Sequence, residues 1–151
     1  MTGVSIQNLT RRNSPMLAGS VFSKIAKELL PDWEISLTFV GPAKARALNK
    51  MLRKKEYIPN VLSYVVGEKS AEIIICPSEA RKQAPDFQLP ASSFLLLLFI
   101  HGALHIKGWS HGDKMEACER KLLTKYGATD SNRHRHRHVP SKDGRGRRAL
   151  R

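Results

Sequence analysis

The chain has 151 residues, 41% hydrophobic and 26% charged, which suits one soluble domain with a substantial core. Its longest apolar run, Phe94 to Ile100, falls far short of the about 20 residues of a membrane span, and the opening MTGVSIQNLTRR carries no apolar signal segment. Against 13 acidic residues stand 26 basic ones, a net charge of +13 that exceeds the needs of solubility and points to a polyanionic partner, nucleic acid before an anionic membrane surface.

Val4 to Asn8 reads as a short strand. Pro15 to Leu30 reads as a helix whose apolar face carries Leu17, Val21, Ile25 and Leu29. Trp33 to Val40 alternates as a half-buried strand, Gly41-Pro42 turns the chain, and Ala43 to Leu52 is helical. Val61 to Val66 and Glu72 to Cys76 are strands joined by a turn at Gly67 to Ser70, an expected β-hairpin. Pro77 opens the next helix. A long helix follows from Ala91 to Lys107, with Ser92 or Ser93 as its expected cap and Gly108 as its end. The last helix runs from Asp113 to Lys125 and stops at Gly127. The fold class is therefore α+β: a single small domain over residues 1–128, a mixed sheet packed with about five helices. The two cysteines, Cys76 and Cys118, form no CxxC pair, so no disulfides are expected and a reducing cytoplasm is.

Residues 129–151 read as a disordered basic tail rich in His and Arg. From Asp130 onward eight basic residues face two acidic ones, which leaves a charge of +7 on the rest of the chain. Within the tail, Arg133, Arg135, Arg137, Arg145, Arg147 and Arg148 are expected RNA contacts, and the alternating His134, His136 and His138 could bind metal weakly.

The stretch HGALHIKGWSH, from His101 to His111, carries the chemistry. On a helix, residues i and i+4 share a face, so His101 and His105 are spaced to chelate one ion. Gly108 breaks the helix and lets His111 fold back as a third ligand. Three imidazoles with one open position describe a catalytic zinc site, with one ion per chain. The spacing matches the metzincin protease pattern HExxHxxGxxH, but Gly102 stands where a protease places its general-base glutamate. A peptidase is thereby disfavoured. The stripe Phe94, Leu97, Leu98 and Leu104 reads as core, and Cys118 as a buried thiol rather than a fourth ligand.

The same stretch resembles the H-G-x-L-H-x-x-G-[YW]-D-H signature of the YbeY family, proteins implicated in rRNA maturation. LNKMLRKKEYIPNVLSY, from Leu48 to Tyr64, and AEIIIC, from Ala71 to Cys76, are similar to two further family motifs in the same order, and the opening VSIQNLT is compatible. The resemblance covers most of residues 1 to 127. It implies a single-strand-specific endoribonuclease acting late in small-subunit (16S) rRNA 3′-end maturation and in ribosome quality control. It further implies that His101, His105 and His111 hold zinc, that Arg53 is the functional arginine of the cleft, and that Asn60 and Ser63 sit in the strand segment beside it. Arg53 and His111 are the expected catalytic residues, and Lys54 and Lys55 extend the expected RNA contact. By residue type alone, RKKEY is also what a solvated charged loop looks like.

Two departures bear on chemistry. Ser110 stands where the family carries Asp, and the segment between the third histidine and Met115 is short. The nearest replacements for a general base, by sequence, are Asp113 and Glu72. Three readings follow: a zinc-dependent endoribonuclease with RNA and the small ribosomal subunit as partners, a non-catalytic zinc-stabilised RNA-binding or ribosome-assembly protein, and a metzincin-like metallopeptidase.

Overall fold

Alternating burial sets the sheet. In the computed structural model, which describes residues 3–10 and 19–127, Ile35, Leu37 and Phe39 of strand β2 (Glu34–Phe39) turn inward while the residues between them stay partly exposed. β1 (Gly3–Asn8) pairs with β2 in parallel, and β2 pairs in parallel with β4 (Ser70–Ile75). β3 (Val61–Gly67) closes the sheet at the far side, antiparallel to β4, so the order is β1-β2-β4-β3. The expected hairpin is thus β3–β4, with a register shift between Val65 and Gly67.

Five helices pack on this mixed sheet, together with a 3-10 turn at Ala84–Phe87: α1 (Gly19–Leu29), α2 (Pro42–Arg53), α3 (Pro77–Gln83), α4 (Ala91–Lys107) and α5 (Asp113–Tyr126). The class is α+β, as the sequence indicated. α1 carries Ile25 and Leu29 inward as expected, together with Phe22 and Ala26, and the Phe22 ring meets Phe99 edge-on at 5.0 Å. The expected start of that helix, with Pro15 and Leu17, lies outside the described residues, as do the tail arginines and histidines.

α4 is the centre of the molecule. Every residue from Phe94 to Leu104 is buried, because the helix is covered all round by β3, β4, α1, α3 and α5. The helix begins differently from the sequence expectation. Pro90 is the N-cap, its carbonyl accepts the Phe94 N–H at 3.0 Å, and neither Ser92 nor Ser93 caps the helix. The fixed proline φ, here −65°, with extended ψ places the boundary one residue before Ala91, which puts both serines inside the first turn. The other end follows expectation. Gly108 adopts a left-handed φ of 104° and its N–H bonds the His105 carbonyl.

The sheet's second face is covered more thinly. Ala45 and Leu48 of α2 meet Val40, Leu62, Ile74 and Cys76 there in a small separate cluster. Cys76 is buried and Cys118 partly buried, and both are free thiols. Among the described residues, no single helix is long and apolar enough to cross a membrane.

Candidate metal centre

Helix periodicity and one glycine turn assemble the centre. His101 and His105 leave α4 one turn apart, and the break at Gly108 returns the chain so that His111 reaches the same point. The His105 Nε2 lies 3.2 Å from the His101 Nε2 and 3.2 Å from the His111 Nε2. Around an ion bound by nitrogens at 2.0–2.1 Å, tetrahedral angles place those nitrogens about 3.3 Å apart. The donor set therefore fits a metal ion.

The rings are held for that task. His105 donates its Nδ1–H to the Trp109 carbonyl at 3.1 Å, which leaves its Nε2 lone pair free for a metal. Burial, with His101 beside it, holds His105 below the ordinary imidazole range. His101, the deepest of the three, donates Nδ1–H to the Glu119 carboxylate at 2.6 Å. Exposure rises along the set, from buried His101 through half-buried His105 to exposed His111.

A cleft of about 250 Å³ opens above the histidines, lined by Arg53, Val61, Leu62, Ser63 and the three rings. Arg53 arrives from the C-terminal end of α2. Its Nη1 donates to the Asn49 Oδ1 at 3.2 Å and to the Tyr57 Oη at 2.8 Å. Asn49 is fully buried and donates from Nδ2 to the Tyr57 carbonyl at 3.0 Å, which ties the loop to the helix. Lys54 and Lys55 follow Arg53 on the exposed surface, outside the cleft lining.

Ser63 lines the cleft, but Asn60 does not. Asn60 is buried just ahead of β3 and donates to Gln83 of α3 at 2.8 Å. The two base candidates also fail to reach the cleft. Glu72 precedes Ile73, whose side chain faces α4, and strand alternation turns Glu72 to the opposite face of the sheet. There it accepts a hydrogen bond from the Tyr64 hydroxyl; burial first, and this carboxylate second, push the Tyr64 pKa up to about 12. Asp113 is exposed at the start of α5 and Ser110 is exposed on the turn, neither of them in the cleft lining. No carboxylate lines the cleft among the described residues.

Two contributors escaped the sequence reading, Glu119 and Asn49. Each left a signal: Glu119 falls on the apolar stripe of α5 with Met115 and Leu122, and Asn49 follows Ala45 by four residues on the inward face of α2. A polar side chain in such a position requires a buried partner.

Fold and site together define a class: a small α+β domain with a three-imidazole metal centre floored by a buried helix. Comparison with known sequences then gives the family. The family profile described as Endoribonuclease YbeY matches residues 6–127, and the chain belongs to that family. The Endoribonuclease YbeY of Paraburkholderia phymatum is 31% identical over 121 residues, covering 74% of this chain and 79% of that protein. That of Thiobacillus denitrificans is 30% identical over 112 residues, covering 68% and 76% respectively. The solution structure of TM1509 from Thermotoga maritima shares the fold, with a TM-score of 0.59 at 21% identity over 93% of this chain.

Proposed function

We propose that the chain is a zinc-dependent, single-strand-specific endoribonuclease of late small-subunit rRNA 3′-end maturation and ribosome quality control. The observation that carries this reading is the meeting of three Nε2 atoms and one guanidinium in a single cleft. His101, His105 and His111 would hold the metal. Zinc, when bound, supplies a Lewis acid for a phosphoryl oxygen and a nucleophile at neutral pH. Arg53 contributes a planar fork that grips a phosphate and stabilises charge building on its oxygens. Asn49 and Tyr57 hold that fork in place before substrate arrives, so less order is lost on binding. Among the described residues no carboxylate lines the cleft, and no base is assigned.

The partners in this reading are single-stranded rRNA, the small ribosomal subunit and its assembly factors, in the cytoplasm. Lys54 and Lys55 continue the phosphate track from Arg53. In this reading the basic residues of 129–151, Arg133, Arg135, Arg137, Arg145, Arg147 and Arg148 among them, add to the contact with RNA.

One test separates this from the alternatives. Cleavage of single-stranded RNA in metal-controlled buffer is compared for the native chain, Arg53→Ala and His111→Ala, with a peptide substrate in parallel. Arg53→Ala is expected to lower the rate about a hundredfold, and His111→Ala to abolish cleavage. Equal cleavage by all three preparations would mean a contaminating nuclease. The absence of a cleft carboxylate favours one other reading, a non-catalytic RNA-binding protein stabilised by its metal. That reading gains if the pure native chain binds RNA and zinc but cuts neither substrate.

A further inference from the structure

The deepest histidine of the centre shares its burial with a charge. His101 is 3% exposed and Glu119 6%, and their 2.6 Å contact joins α4 to α5 across the core. Among the described residues, the His101 ring is the one partner at the Glu119 carboxylate. A buried carboxylate facing a neutral imidazole keeps its negative charge uncompensated, which is costly away from water. The balance changes when a cation sits on the far side of the ring. The carboxylate then polarises the Nδ1–H, the Nε2 becomes a better donor, and the buried charge finds its counterpart through the imidazole.

We propose that Glu119 is a positioning residue of the metal centre: it fixes His101 with its proton on Nδ1 and its Nε2 lone pair on the metal, and it makes the site prefer a cation. The other rings fit the same scheme. Half-buried His105 is oriented by a neutral carbonyl, that of Trp109, whereas the fully buried ring receives the charged partner. The residue that orients the ligand sits between Met115 and Leu122 on the face of α5 that packs on the core. The inference rests on the three histidines being metal ligands.

The test measures zinc affinity by competition with a chromophoric chelator. It uses the full-length chain with His134, His136 and His138 replaced by alanine, so that only the three imidazoles of the centre remain. Glu119→Ala is expected to weaken zinc about ten- to a hundredfold. Glu119→Gln keeps an acceptor for Nδ1–H but no charge, and is expected to fall between Glu119→Ala and the parent. Leu122→Ala serves as the packing control: it lowers the melting temperature and leaves zinc affinity unchanged. Imidazole nitrogen NMR of the metal-free parent and of Glu119→Gln is expected to show His101 protonated at Nδ1. Parent and Glu119→Ala binding zinc equally, or Leu122→Ala weakening zinc as much as Glu119→Ala, would overturn the positioning role. A parent chain that binds no zinc would overturn the ligand assignment itself, a result distinct from either.

Discussion

Gly102 shows how a single missing side chain limits the chemistry of a helix. A Cβ there would stand 3.4 Å from both Ile73 Cγ2 and Ser63 Cβ, so α4 lies against the sheet with room for a methyl group and nothing longer. The glutamate a metzincin peptidase needs at this position has no space. Gly102→Glu is expected to lower stability by about 1–3 kcal/mol through overpacking and to confer no peptidase activity; thermal melting and a peptide-cleavage assay check the two halves. At this scale the sequence was readable where function depends on local spacing. His101, His105 and His111 needed only helix geometry and a glycine. Glu119, eighteen residues from His101, and Asn49, which braces Arg53 against Tyr57, depend on how helices dock, and spacing does not encode that. The base candidates Glu72 and Asp113 failed for a related reason. Glu72 takes the face of the sheet opposite the cleft, and Asp113 is exposed at the start of α5.

At the scale of elements, α4 does two jobs with one helix. Its residues Phe94 to Leu104 are all enclosed as core, and its last two turns carry the ligands His101 and His105 on that buried base. Nearly every element was legible, because strand alternation and helix periodicity are local signals. The cap of α4 was not. Serine is a favoured cap, but Pro90 had already set the extended backbone that a cap requires. The double variant Ser92→Ala/Ser93→Ala is therefore expected to change stability by less than about 0.5 kcal/mol. Leu98→Ala, in the same helix and fully buried, is expected to cost about 2–5 kcal/mol. Denaturant unfolding of both variants decides whether the serines cap anything.

For the whole molecule, charge is the dominant quantity. The net charge of +13 is divided between the tail and the rest of the chain, and among the described residues the cleft is lined by an arginine and no acid. RNA affinity should therefore fall steeply with salt. If the basic arm contacts RNA, removing residues 130–151 lowers the salt slope, by about 0.7 for each phosphate released. With six arginines proposed as contacts, the drop is expected to lie between about 0.7 and 4, read from binding isotherms at several salt concentrations. An unchanged slope would assign the RNA interface to the folded domain alone.

The strand order has a consequence for time as well as shape. β3 supplies Val61, Leu62 and Ser63 to the cleft and, among the described residues, stands at an end of the sheet with β4 as its single neighbour, while β2 and β4 are each held on both sides. Local opening is easiest where the fewest hydrogen bonds must break. The cleft wall is thus one of the sheet's two edges, and amide hydrogen exchange in β3 should run ahead of that in β2 and β4. A strand that loosened ahead of its neighbours would give a long polymer a sideways entrance to a centre floored by the buried length of α4.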